Sequence, residues 1–271
     1  MNDVIKAIIF DLDDTLVVEE PAAVAAFMEV CRQAERHCGV EADKLCSTIR
    51  ETARSLWRQS PARLYCIEIG ISSWEGLWAQ FEGDDPNLRV LREWAPYYRV
   101  KSWENALMKC GVSDVNLATQ LADSFRSNRH KHLVLYDDAT HCLDELSKLF
   151  PLALCTNGVP DLQREKIDTT GIAKYFTEIV ISGEVGYGKP DRRIYELVLS
   201  RLGARQESTW NIGDSLERDI FGAKAVGLKA VWVNRHGLSR DESIVPDIEV
   251  SNLEQLVATV IQLTKNTNHL L

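Results

Sequence analysis

The sequence predicts an α/β protein: a doubly wound parallel sheet with an inserted all-α domain. Three observations predict it. From about residue 134 onward, short apolar runs alternate with helical runs of 10–12 residues, the rhythm of a parallel sheet with right-handed crossovers. Before that, a dry strand at Val4–Phe10 is followed by more than 100 residues of helical periodicity with little strand signal. Finally, every strand end runs into small, polar or acidic residues, as expected where ligands bind outside the carboxyl ends of the strands.

Val4–Phe10 is mostly β-branched or aromatic and reads as a buried parallel strand. Helices are expected over Pro21–His37, stopped by Gly39, and over Glu41–Gln59, which ends before Pro61. Ser72–Phe81, Asn87–Lys109 (kinked or broken near Pro96) and Asp114–Arg129 complete the insert. Trp57, Trp74, Trp78, Trp94 and Trp103 lie in it, most of them expected in its own core. The α/β rhythm then resumes: helix Ala139–Phe150, strand Leu152–Cys155, helix Asp161–Thr169 closed by Gly171, and strand Glu178–Ile181. Helix Asp191–Leu202, strand Thr209–Ile212, helix Glu217–Val226, last strand Lys229–Val233 and helix Asn252–Leu263 follow, with fraying after Lys265. The expected division is 1–17 plus 135–271 for the α/β part and 18–134 for the helical insert.

Composition narrows the possible functions. An apolar share of 45% with 26% charged residues suits a globular chain that buries a sizeable core. No run of about 18 apolar residues is present, so no membrane span is expected. The N-terminus lacks the basic and apolar regions of a signal peptide. Cys31, Cys38, Cys46, Cys66, Cys110, Cys142 and Cys155 form no C-x-x-C pair, which fits reduced thiols in a cytoplasmic protein. A net charge of −9 without a basic block disfavours nucleic acid and anionic lipid as partners. Nothing in the sequence fixes the oligomeric state.

The chemistry concentrates at the strand ends. Three acids, Asp11, Asp13 and Asp14, stand within four positions at the tip of the first strand. Crowded carboxylates there repel one another, so a cation is expected, and oxygen ligands suit Mg²⁺. An acidic turn in which Asp14 or Thr15 bonds local backbone is the plainer alternative. Asp11 is placed as a nucleophile able to form an aspartyl-phosphate, and Asp13 as the proton donor and acceptor. Thr156, Asn157 and Gly158 offer a hydroxyl and backbone N–H groups to a phosphate, or make a simple Asn-Gly turn. Lys189 follows the glycine-containing stretch Gly183–Gly188, from which its ammonium can turn back to neutralise phosphoryl charge. Asp214 can complete a metal site with Asp11. Asp219 either supports that metal or complements a helix dipole.

Taken together, Asp11-x-Asp13-x-Thr15, Thr156-Asn157, Lys189-Pro190 and Gly213-Asp214-Ser215-x-x-x-Asp219 resemble the haloacid dehalogenase superfamily in order and strand context. The resemblance covers the α/β part, about 150 residues by the expected division; the insert resembles that family's α-helical cap in position and type only. It implies a Rossmann-like core and a phosphatase using Mg²⁺ on a small phosphorylated metabolite. Asp11 would be nucleophile and metal ligand. Asp13 would be acid–base and give its backbone carbonyl to the metal. Thr156 with the Asn157 backbone would hold phosphate, Lys189 would neutralise charge, and Asp214 would bind the metal. Closure of the insert, flexing near Val17–Glu20 and Val134–Asp138, would exclude water.

Four alternatives stand beside that expectation. A β-phosphoglucomutase-like phosphomutase would need an insert residue such as His37, Lys44, His130 or His132 to activate a sugar hydroxyl. A phosphonate hydrolase would need a Schiff-base lysine, Lys44 or Lys101. A dehalogenase is disfavoured by Asp13, because an alkoxide leaving group needs a proton and a halide does not. A non-catalytic binding scaffold is disfavoured by the intact set Asp11, Asp13, Lys189 and Asp214.

Overall fold

The computed structural model describes residues 5–239 and 243–268. Val4, expected to begin the first strand, and residues 269–271, expected to fray, lie outside them. Within the described residues the chain forms a six-stranded parallel sheet and twelve α-helical segments. The sheet contains β1 (Ala7–Phe10), β2 (Leu152–Thr156), β3 (Glu178–Ile181), β4 (Thr209–Gly213), β5 (Lys229–Val233) and β6 (Ile248–Val250). Their order is β3-β2-β1-β4-β5-β6, so strand order reverses between β1 and β4. In doubly wound sheets that reversal marks the crevice where ligands bind.

Alternation along β1 shows why both faces of the sheet are covered. Ile8 and Phe10 join one apolar cluster and Ile9 the other. Helices α7 (Ala139–Ser147) and α12 (Leu253–Asn268) supply the first cluster with Cys142, Leu143, Leu146, Leu256 and Val260. Helices α10 (Arg192–Leu202) and α11 (Gly222–Ala225) supply the second with Ile194, Tyr195, Val198 and Ala223. Phe10 pairs in register with Leu154 and Ile212, so Asp11 is the first residue past the dry part of the sheet.

Contacts divide the chain into two compact units. One comprises the chain up to Val18, Val134–Asn157 and everything from Lys166 on; the other comprises Glu19–Leu133 with Gly158–Glu165. The division expected from sequence places residues 158–165 with the α/β part. The apolar side chains Val159 and Leu162 instead pack into the helical core.

The helical unit contains α1 (Glu20–Cys38), α2 (Ala42–Trp57), α3 (Arg63–Glu68), α4 (Ser73–Gly76), α5 (Pro86–Lys109) and α6 (Val115–Lys131). Its boundaries follow local chemistry. Pro21 stands in the first turn of α1, and Gly39 ends the helix in the left-handed region at φ 75°. Asp85 and Asp114 cap α5 and α6 by accepting from Asn87 N–H and Leu117 N–H. Helix α5 runs unbroken through Pro96, with Leu91, Ala95, Tyr98 and Trp103 buried along it. The helix expected over Ser72–Phe81 stops at Gly76. Beyond it, the carbonyls of Ala79 and Phe81 accept from Arg99 and Arg92, and Asp161 accepts the N–H groups of Gln80 and Glu82. Those partners replace the helical ladder. Trp57, Trp78 and Trp103 are buried in this unit's core, with Trp74 and Trp94 packed partly against it.

Inside the same unit Arg129 is completely buried and donates to Glu19 at 2.7 Å, with its guanidinium 4.7 Å from the Trp78 ring centroid. Glu19 also accepts from Trp74 Nε1 at 3.2 Å. Removing one partner of a buried ion pair leaves a charge stranded away from water. Arg129→Met is therefore expected to lower unfolding free energy by about 3–5 kcal/mol, measured by urea titration. An unchanged midpoint would contradict that assignment.

All seven cysteines are free thiols. No helix among the described residues is long and apolar enough to cross a membrane.

Candidate active site

The α/β unit brings Asp11, Lys189, Asp214 and Asp219 together beyond the ends of β1 and β4. Asp11 is 7% exposed, and its backbone N–H donates to Ile212 O at 2.9 Å, continuing the ladder one residue past β1. The chain then turns tightly: Leu16 and Val17 N–H both donate to Leu12 O at 2.9 Å, and Asp14 N–H donates to Val17 O at 2.8 Å. Asp14 takes φ 58°, a left-handed conformation that aspartate tolerates better than most residues. Thr15 Oγ1 donates to Asp214 Oδ1 at 3.5 Å, linking the turn after β1 to the turn after β4.

Lys189 lies at the centre. Its ammonium donates to Asp11 Oδ1 and to Asp219 Oδ1, each at 2.6 Å, and the residue is 4% exposed. The stretch before it is not all loop: α9 (Ser182–Val185) forms a helical turn ended by Gly186. Asn157 anchors the lysine's backbone from both sides. Its Oδ1 accepts Lys189 N–H, and its Nδ2 donates to Lys189 O, both at 2.8 Å. A Cβ at Gly188 would meet Asn157 Oδ1 at 2.7 Å, so this clamp requires glycine there. The Asn157 side chain thus clamps the Lys189 backbone.

The sequence expectation of one helix over Glu217–Val226 is replaced by a π-type turn, Leu216–Phe221, followed by α11. Such turns are frequent at functional sites. This one brings Asp219 back over β4. Asp219 Oδ2 accepts Ser215 N–H at 3.1 Å, and Asn211 Nδ2 donates to Asp219 O at 3.0 Å. A Cβ on Gly213 would collide with the Asp219 carboxyl, which gives that glycine its reason. Asp219 therefore does more than complement a helix dipole: it shares Lys189 with Asp11.

One carboxylate oxygen from each of Asp11, Asp214 and Asp219 lies within 4.8 Å of the others, a spacing suited to one cation. Burial raises the pKa of Asp11, and Asp219 adds to that, against Lys189 pulling the other way. Burial raises Asp214 well above the ordinary carboxylate range, reinforced by Asp11, Asp219 and Asp14. Burial disfavours the Lys189 ammonium, but Asp11 and Asp219 outweigh it and hold its pKa well above the usual lysine value. One lysine among so many acids leaves the cluster short of positive charge. A hard divalent cation such as Mg²⁺ fits the all-oxygen donor set.

Thr156, fully buried at the end of β2, donates from Oγ1 to Asn157 O at 3.4 Å. Gly158 follows at φ 144°, before α8 (Pro160–Thr170) begins. Asp13 is half-buried and accepts from Lys166 Nζ at 2.8 Å.

The sequence reading missed two cations. Lys166 shares the buried face of α8 with Leu162, Gln163 and Ile167, a spacing that helical periodicity alone makes visible. Arg235 donates to both oxygens of Asp138 at 3.0 and 2.9 Å and to Thr15 O at 3.0 Å, and it stacks on Tyr136 at 3.8 Å. It braces the turn that carries Asp13. No local pattern around residue 235 announces it.

The insert residues considered for a mutase or Schiff-base role are placed as surface groups. Lys101 pairs with Glu104, His130 with Glu165 and His132 with Glu29, while His37 and Lys44 are exposed.

Residues 5–227 match a family described as haloacid dehalogenase-like hydrolase. The chain is 36% identical over 252 residues to the phosphoserine phosphatase of Thermus thermophilus, covering 93% of this chain and 97% of that one. It is 30% identical over 260 residues to the N-acylneuraminate-9-phosphatase of Homo sapiens, covering 94% and 93%. Among solved structures, the putative HAD-hydrolase YfnB from Bacillus subtilis, bound to magnesium, superposes with a TM-score of 0.67. It has 22% identity and covers 94% of this chain and 98% of that one, a likeness of fold.

Proposed function

The chain belongs to the haloacid dehalogenase-like hydrolase family, and from that premise we propose that it is a Mg²⁺-dependent phosphatase of small phosphomonoesters. The observation that carries the reading is Lys189 held at 2.6 Å from both Asp11 and Asp219, beside the Asp11–Asp214–Asp219 cluster. The phosphatase relatives support the reaction class.

Asp11, on the rigid end of β1, attacks phosphorus. The Asp11 oxygen–phosphorus bond forms as the bond to the ester oxygen breaks. Asp13 protonates the departing alkoxide. In the second half Asp13 takes a proton from water, whose oxygen attacks phosphorus; inorganic phosphate leaves and the Asp11 carboxylate is restored. Thr156 Oγ1 and the backbone N–H groups of Asn157 and Gly158 hold the phosphoryl oxygens. Lys189 neutralises the charge that builds on them. Asp11 and Asp214 would hold Mg²⁺ with the Asp13 carbonyl. Both Asp219 oxygens already accept from Lys189 and Ser215, so Asp219 acts from behind, fixing the lysine. When bound, the ion supplies positive charge to the transferring phosphoryl group.

The direct test is phosphate release from p-nitrophenyl phosphate with added Mg²⁺. A panel including phosphoserine, N-acylneuraminate 9-phosphate and glyceraldehyde 3-phosphate then reads the leaving group. Lys189→Ala is expected to lower kcat on the order of 10²-fold or more, like loss of other donors to developing anionic charge. A fall of less than about threefold would remove Lys189 from the mechanism.

A further inference from the structure

We propose that Lys166 is the positioning residue for Asp13, and that it selects the line along which the Asp13 carboxyl meets the leaving oxygen. This rests on the phosphatase reading above and deepens it. Among the described residues Lys166 and Lys189 are the two buried lysines, and each holds a different carboxylate. Lys189 serves Asp11; Lys166, fully buried, donates to Asp13 Oδ1 at 2.8 Å. The Asp13 side chain keeps 23% of its surface exposed, so the pair joins a dry, fixed ammonium to a carboxylate that still reaches solvent.

Fold stability gives little reason to keep such a lysine. A buried ion pair is often no better than an apolar pair of the same volume, and lysine is seldom fully buried. Orientation is a better reason. Asp13 sits in the turn after β1, with the left-handed Asp14 as its neighbour. A short side chain there has rotamers that point away from a leaving group. Lys166 stands on α8 next to Ile167, which packs into the core of the sheet, so its ammonium is held by regular structure. Anchoring Oδ1 at that point restricts the rotamers of the side chain and hence the positions open to Oδ2. Groups that act in proton transfer lose much of their effect when misplaced by about 1 Å.

The leaving group separates positioning from mere structural support. An alkoxide must be protonated as it departs, whereas p-nitrophenolate leaves without help. The experiment measures kcat/KM, which reports phosphoryl transfer to Asp11, for an alkyl phosphomonoester and for p-nitrophenyl phosphate on one preparation. Wild type, Lys166→Met and Lys166→Gln are compared in Mg²⁺. For Lys166→Met the alkyl ester is expected to fall on the order of 10²-fold while p-nitrophenyl phosphate falls less than about fivefold. Lys166→Gln, which keeps a donor for Asp13, is expected to shift the ratio less. Because each ratio comes from one sample, a partly unfolded variant does not alter it. Equal losses on the two esters, or none, would overturn the positioning role and leave the phosphatase reading intact. Wild type inactive on both esters would overturn that reading and this inference with it.

Discussion

Asp11→Asn is expected to reduce phosphate release by at least about 10⁴-fold, the scale seen when a covalent nucleophile is removed from an otherwise intact site. The amide is isosteric with the carboxyl, so the ladder bond from residue 11 to Ile212 O survives. Lys189 keeps Asp219 as its partner. What disappears is the anionic oxygen that would displace the ester oxygen, and an amide oxygen is too weak to replace it. The fold is expected to persist, because the substitution removes one charge from a cluster crowded with carboxylates. Circular dichroism should therefore superpose on wild type. Acid quenching with a radiolabelled phosphomonoester adds a second readout: label attached to protein in wild type and none in the variant. Residual turnover above about 1% of wild type, with protein-bound label retained, would assign the nucleophile elsewhere.

The sequence carried the frame of this molecule better than its joints. Strands β3 and β5 coincide with expectation at Glu178–Ile181 and Lys229–Val233, since a short apolar run between polar turns has few other uses in this rhythm. The acid-rich end of β1 invites the expectation of a cation for a related reason, and the fold brings Asp11 together with Asp214 and Asp219 there. Elements set by distant partners were not legible. Strand β6 is three residues long with Glu249 exposed in its middle, so it has no apolar period to detect. Helix α3 is six residues placed just after Pro61. The end of α4 was overrun because Arg92, Arg99 and Asp161, far along the chain, take the backbone groups a longer helix would use. The same holds at the site. Asp219 was undecided in sequence because its meaning depends on Lys189, thirty positions away, and on a π-type turn no motif specifies. Lys166 and Arg235 are single cations whose partners, Asp13 and Asp138, are distant in sequence.

Removing divalent cations is expected to abolish turnover, and Mg²⁺ to restore it better than Ca²⁺, which prefers longer bonds and more ligands. The same site should appear in thermal unfolding without any substrate. A ligand that binds only the folded state stabilises it by RT ln(1 + [L]/Kd), about 2.7 kcal/mol at a hundredfold excess over Kd. For a chain of this size that amounts to a rise in Tm on the order of 5–10 °C. Asp214→Asn separates the two effects of its carboxylate. In chelator, burial and the neighbouring Asp11, Asp219 and Asp14 make the Asp214 charge unfavourable, so the amide should raise Tm above that of wild type. With Mg²⁺ present the order reverses, because the variant has lost a ligand and gains little from the ion. That crossing distinguishes a cation site from a merely structural carboxylate, whose loss would lower Tm in both conditions. A wild-type Tm unmoved by tens of millimolar Mg²⁺, on the scale of weak sites, would mean that Asp11 and Asp214 do not hold an ion.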